Sequence, residues 1–161
     1  LMRSLGNGLV LKPFAKSDLD TIHAVERRAY AVPWSYGVFY DCLIARYDCQ
    51  ALWRGEQLLG YFVGQRVLDE AHLLNLCVDP DCHRQGLGEL LLQEWLLLAS
   101  GSGCKKALLE VRVSNVGAQT LYRKAGFQQI GYRKGYYPAL EGREDGIVMA
   151  LALPQALSAS V

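Results

Sequence analysis

Val78-Asp79-Pro80-Asp81-Cys82-His83-Arg84-Gln85-Gly86-Leu87-Gly88 joins two apolar runs of different character. The run before it, Ala71 to Val78, has strand length and ends at Asp79-Pro80, a breaking pair. The run after it, from about Gly86 to Ser100, is apolar on more than one side. Gly88, Glu89, Gln93 and Glu94 interrupt it, and it falls short of the ~20 residues a bilayer span needs. It reads as a buried helix. Glycines at 86 and 88 permit close backbone approach, and the free N–H groups at a helix start point at whatever fills the loop. The stretch is therefore suited to an anion, specifically a pyrophosphate. A plain glycine-containing turn would look similar if it stood alone. Two other phosphate motifs fail: a Walker loop needs a following Lys-Ser/Thr, and a dinucleotide fingerprint needs a third glycine, whereas Gly88 precedes Glu89, Leu90 and Leu91.

Outward from this loop the pattern alternates. Leu9, Leu11 and Pro13-Phe14 suggest a short first strand. Ser17-Asp18 then offers an N-cap to a helix carrying Leu19, Ile22, Val25 and Ala29, ending near Tyr30. Pro33 interrupts, Trp34 lies in the joint, and Ser35 is placed to cap a second helix. Ala51 to Trp53, a turn at Arg54-Gly55-Glu56, and Leu58 to Val67 read as a hairpin. C-terminal to the long helix come a strand from Ala107 to Val113, a helix from about Asn115 to Ala125, and strands near Gly126 to Arg133 and Gly146 to Leu153. The expectation is an α/β (α+β) fold: a mixed, mostly antiparallel sheet of about seven strands with helices on both faces. Residues 1–161 show neither a repeat nor a linker, so one domain is expected.

The 161 residues are 51% hydrophobic and carry 17 basic against 16 acidic side chains, a net +1. Scattered basic residues make nucleic-acid binding an unsuitable role. Five cysteines with no C-x-x-C pair, and isolated His23, His72 and His83, suggest neither a disulfide framework nor a metal site. No signal-like apolar region opens the chain, so the expectation is a cytoplasmic protein without a membrane partner.

Glu110 is a carboxylate in a strand otherwise made of Leu108, Leu109, Val111 and Val113, a costly place unless it lines a polar cleft or meets an arginine. Tyr122, on the following helix beside Leu121, reads by itself as a core residue. Asn115 reads as that helix's N-cap.

Taken together, these segments resemble the GNAT family of N-acetyltransferases, whose signature Q/R-x-x-G-x-G/A opens the helix after the fourth strand. Gly86 and Gly88 match it; His83 stands where the pattern has Gln or Arg, which leaves the anion to the backbone amides. The likeness spans nearly the whole chain and narrows to ribosomal-protein-alanine N-acetyltransferases of the RimI type. It rests on Val32-Pro33-Trp34-Ser35, Val67 to Ala71, Leu109-Glu110-Val111-Arg112-Val113-Ser114-Asn115, Ala118 to Phe127 and Tyr136 to Glu144. The resemblance implies acetyl-CoA as co-substrate. The amides of Arg84, Gln85, Gly86, Leu87, Gly88 and Glu89 would take its pyrophosphate, Leu76, Cys77 and Val78 would pair with its pantetheine, and Asn115 would add a contact. It also implies Glu110 as general base and Tyr122 as general acid.

Acetyl transfer needs a neutral amine, a stabilised oxyanion and a proton for the departing thiolate. A terminal amine has a reference pKa of about 7.7–8.0 against about 10.4 for lysine, so deprotonating it at neutral pH costs roughly 3.5 kcal/mol less. One carboxylate acting through water then suffices. Trp34, Glu70, Tyr136, Tyr137 and Glu141, with Glu144 and Asp145, are expected to shape a slot for a short basic N-terminus. In the RimI type that is the N-terminal alanine of small-subunit ribosomal protein eighteen. A lysine or small-molecule acetyltransferase on the same fold, and a non-catalytic acyl-CoA sensor, are the alternatives.

Overall fold

The computed structural model describes residues 2–154. In chain order the elements are β1 (Arg3–Gly6), β2 (Leu9–Pro13), α1 (Leu19–Ala29), α2 (Tyr36–Ile44), β3 (Asp48–Arg54), β4 (Gln57–Val67) and β5 (Glu70–Val78). They continue with α3 (Leu87–Gly101), β6 (Lys106–Arg112), α4 (Val116–Lys124), β7 (Gln128–Pro138) and β8 (Arg143–Ala152). All the strands form one sheet, ordered β1-β2-β3-β4-β5-β6-β8-β7, antiparallel throughout except for the parallel pair β5–β6.

The mixed sheet agrees with the sequence reading, but it has an eighth strand. Gly6, Asn7 and Gly8 all adopt left-handed backbone, with φ of 83°, 54° and 76°. Such a turn lets Arg3–Gly6 fold back as a hairpin on β2. The last two strands are also longer than expected, meeting in a hairpin from Gln128 to Ala152.

The helices cover both faces. Leu87, Leu91, Leu92, Trp95 and Leu96 of α3 join Tyr122 of α4 in one core; Leu19, Ile22 and Val25 of α1 join Phe39 of α2 in the other. Leu58–Val63 of β4 lies between these layers, except that Gly60 has no side chain to bury, and so its sequence is a continuous apolar run. Two glycines set how closely α3 lies on the sheet. A Cβ at Gly60 would come 2.9 Å from Leu91 Cδ1, and one at Gly64 would come 2.5 Å from Trp95 Nε1.

The helix starts differ in how they are capped. Ser35 Oγ accepts from Val38 N at 3.3 Å, and Asn115 Oδ1 accepts from Ala118 N at 3.1 Å, as their positions suggest. Asp18 does not cap α1. A single 3-10 turn, Lys16–Asp18, precedes the helix, and the Asp18 carboxylate accepts from Ala15 N at 2.8 Å. The five cysteines, Cys42, Cys49, Cys77, Cys82 and Cys104, are all unpaired thiols and all buried.

Candidate active site

The site begins where the sheet comes apart. β5 and β6 pair from Glu70↔Lys106 to Leu73↔Leu109, and there the ladder stops. Beyond it β5 stays on β4 up to Gly60↔Val78, while β6 stays on β8 up to Arg112↔Gly146. The two strands diverge into a wedge, with Leu74–Val78 on one wall and Glu110–Arg112 on the other. A register shift between Val63 and Gly64 of β4, which leaves Leu74 opposite neither, marks the point of divergence.

Backbone groups on the β5 wall are accounted for residue by residue. Asp79 N donates to Leu59 O at 2.8 Å, and Cys77 O lies so close to Gly60 that a Cβ there would be 2.5 Å away. Residues 77 and 79 therefore face β4, so Leu76 and Val78 present their N–H and C=O groups to the wedge. Side chains from outside the sheet reach those carbonyls: Tyr30 OH donates to Leu76 O at 2.7 Å, and His83 Nε2 lies 3.2 Å from Val78 O. An open strand edge of this kind suits an extended chain of amides such as pantetheine. His83, the departure from the family signature, turns back onto the strand.

At the end of β5, Asp79 Oδ1 accepts from Asp81 N, and a short 3-10 turn leads to α3. Arg84 and Gly86 both hold positive φ, 64° and 72°. A Cβ on Gly86 would meet no heavy atom within 4 Å, so its backbone conformation, rather than crowding, calls for glycine. The first amides of α3, from Leu87 to Glu89, thus open beside the wedge as donors of the kind that attract an anion.

Glu110 stands on the β6 wall, on the sheet face opposite Leu109 and Val111, which are buried under α3 and α4. Its Oε1 lies 3.4 Å from Arg133 Nε. Contact with the Glu110 carboxylate is the main reason the Tyr136 phenol is pushed above its ordinary range. Of the two readings the sequence leaves open, the arginine partner is present, and the Tyr136 phenol joins it. Tyr122 belongs to the other face, T-stacked on Phe127 at 5.9 Å, and burial pushes its phenol up to about 12. It stays protonated at neutral pH. Burial is also the first cause of the raised phenols of Tyr30 and Tyr137, and Tyr122 contributes to both, so it lies within electrostatic reach of each. Tyr122 and Glu110 thus belong to opposite faces of the sheet.

The expected substrate residues divide. Half-buried Trp34 lies in the α1–α2 loop, edge-on to Phe39 at 5.2 Å. Tyr136 and Tyr137 lie near Glu110, under Arg133 at 5.1 Å and Arg112 at 4.5 Å respectively. Glu70 is not brought to them. It begins β5, at the closed end of the wedge, 3.8 Å from His72. Glu141 is exposed in the β7–β8 turn. Glu144 and Asp145 are occupied in bracing that hairpin: Glu144 takes Arg112 Nη1 at 2.9 Å and Ser114 N at 3.0 Å, while Asp145 takes the Tyr132 hydroxyl and Gly135 N.

The residues missed from the sequence are Glu26, Tyr30 and Arg133. Glu26 left a signal, since it falls four residues after Ile22 on the buried stripe of α1. Arg133 left none, because nothing local ties it to Glu110. Among the described residues no group of three or more His, Cys, Asp or Glu side chains is arranged to hold a metal ion, and no helix is long and apolar enough to cross a membrane.

Residues 19–127, from the start of α1 through the wedge to the turn after α4, match the model of the acetyltransferase (GNAT) family. This chain belongs to that family. As a GNAT protein it is 41% identical to the [ribosomal protein bS18]-alanine N-acetyltransferase of Escherichia coli K12, over 85% of this chain and 93% of the relative. It is 34% identical to the putative enzyme of that name from Bacillus subtilis, over 82% and 87% of the two chains. The crystal structure of the ribosomal-protein-S18-alanine N-acetyltransferase from Escherichia coli superposes with a TM-score of 0.85. It covers 95% of this GNAT chain and 99% of that one, at 37% identity.

Proposed function

We propose that this protein transfers the acetyl group of acetyl-CoA to the α-amine of a protein N-terminus, in the cytoplasm, with the N-terminal alanine of ribosomal protein bS18 as the substrate. The observation that carries the reading is the wedge itself: the edge of β5 at Leu76 and Val78, left without a strand partner, runs from the Gly86 loop along the opening that faces Glu110 of β6. The relatives' names supply the acceptor.

In this reading the amides of residues 84–89 hold the pyrophosphate, and the β5 edge, with Cys77 buried behind it, aligns the pantetheine. Asn115, at the start of α4, lies at the rim. Glu110 accepts a proton from the ammonium, directly or through water, leaving a lone pair on nitrogen to attack the thioester carbon. A C–N bond forms, the C–S bond breaks, Tyr122 gives its proton to the sulfur, and the second proton shed by the acylated nitrogen returns through water to the Tyr122 phenolate. Trp34, Tyr136 and Tyr137 surround the acceptor, whereas Glu70 and Glu141 are too peripheral to contribute.

The test is to incubate the protein with acetyl-CoA and three peptides, then locate the added acetyl by mass spectrometry. One peptide begins with a free alanine, one has a blocked N-terminus and a lysine, and one has neither amine. Label on the α-amine alone is expected. Label on lysine would favour a side-chain acetyltransferase, and binding without turnover would favour a sensor.

A further inference from the structure

Glu26 is a carboxylate with 2% of its surface exposed, and among the described residues its side-chain hydrogen bonds come from neutral donors. Oε1 accepts from Tyr61 OH of β4 at 2.6 Å and from Asn75 Nδ2 of β5 at 2.9 Å. Oε2 accepts from the backbone N–H of Trp34 at 2.9 Å. Burying a carboxylate is expensive, and satisfying it takes hydrogen bonds of this number and shortness. A helix that needed only to pack on the sheet would carry a leucine here.

The three donors come from different places. Asn75 lies on the wall of the wedge, next to Leu76. Trp34 lies in the α1–α2 loop, on the acceptor side. Its backbone N–H has no ladder or helix to join, so Glu26 fixes the loop's height above the sheet. Neighbouring residues of α1 reinforce the strand end of this link. Tyr30 holds the Leu76 carbonyl, while Arg28 holds Asp79 at 2.6 Å and Asp81 at 3.3 Å. Where β5 loses β6, it gains α1.

We propose that Glu26 is a positioning residue that couples the two substrate sites: the coenzyme, by ordering the β5 edge at Asn75 and Leu76, orders the loop at Trp34 that receives the peptide. This inference rests on the acetyl-transfer reading. Both oxygens are needed, one for each side. In Glu26→Gln the single carbonyl oxygen retains its two donors, Tyr61 and Asn75, and the new amide N–H₂ confronts Trp34 N, donor against donor. The strand side is kept and the loop side is lost.

The experiment measures binding of an alanine-initiated bS18 peptide by calorimetry, with and without saturating non-acetylated coenzyme A. In the wild type the coenzyme should tighten the peptide by about fivefold or more, and the peptide should tighten the coenzyme equally. Glu26→Gln should reduce that factor below about twofold while the affinity for coenzyme A alone is unchanged. Tyr61→Phe removes a donor that belongs to neither site and should keep the coupling. Should Glu26→Gln fail to fold, Asn75→Ala cuts the same link from the strand side and should lose the coupling. Wild type without coupling, coupling retained in Glu26→Gln or Asn75→Ala, or coupling lost in a folded Tyr61→Phe would each overturn the proposal. A wild-type protein that neither binds nor acetylates the peptide would overturn the acetyl-transfer reading, and this proposal with it.

Discussion

Glu110 and Tyr122 differ in how the protein treats them, and that difference makes their roles separable. Glu110 is half-buried and lies 3.4 Å from the Arg133 guanidinium, open to a substrate on its exposed side. Tyr122 is 7% exposed with its pKa pushed up by burial, so it holds its proton until a strong base appears. Glu110→Gln should lower kcat most at low pH and recover part of it above about pH 8, where free amine accumulates. An equal loss at every pH would make Glu110 a positioning group instead. Tyr122→Phe keeps the stacking on Phe127 and removes the proton donor. It should reduce kcat by about 10²-fold or more with acetyl-CoA affinity unchanged, as read by pre-steady-state kinetics. Full turnover with chemistry rate-limiting would return Tyr122 to the core. Glu110 is legible in the sequence because a carboxylate is out of place among the apolar residues of its strand, whereas Tyr122 reads by itself as core and takes its role only from the family resemblance. Glu26 is equally out of place, yet its meaning depends on Asn75 and Trp34, which are 49 and 8 residues distant.

At the scale of elements, the helices and most strands follow from periodicity and turn residues, but the wedge does not. The apolar pattern of β5 runs through its paired half, Glu70–Leu73, and its unpaired half alike. Alternation reports which face is buried and is silent on which edge has a partner. The hairpin β7–β8 outruns the expected strands because Arg143 Nε donates to Gly135 O at 2.6 Å and Asp145 binds Gly135 N, holding together a stretch that Gly135 and Pro138 would break. Packing of α3 on β4 offers a test at this scale. Gly64→Ala would thrust a methyl against the Trp95 indole, so it should destabilise the fold by about 1–3 kcal/mol in a urea titration, with the m-value unchanged. No loss would mean that α3 shifts freely on the sheet.

For the molecule as a whole, acid stability is the property these contacts decide. Burial alone would raise the pKa of Asp79, but the Arg28 hydrogen bond, the Asp81 amide and the Arg28 charge outweigh it and lower it. Asp145, held first by Tyr132, and Glu144, held first by Ser114, are lowered as well. A carboxylate whose folded pKa lies below its unfolded value stabilises the fold above about pH 4, and that stability is lost as pH falls through the folded pKa. Acid unfolding followed by circular dichroism should therefore begin below pH 4. In Arg28→Met burial dominates at Asp79, and the midpoint should move to higher pH; an unmoved midpoint would show that Asp79 does not report on global unfolding.

The five buried thiols bear on how such an enzyme can be watched at work. Each turnover of acetyl-CoA liberates one sulfhydryl into solution. Cys77, nearest the wedge, is 2% exposed with its pKa pushed up to about 12, and Cys49 is held likewise. Neither offers a thiolate to an electrophile at neutral pH. A colorimetric disulfide reagent added to the native protein should therefore record product from a flat baseline, and any slow rise without substrate would time the opening of the fold itself.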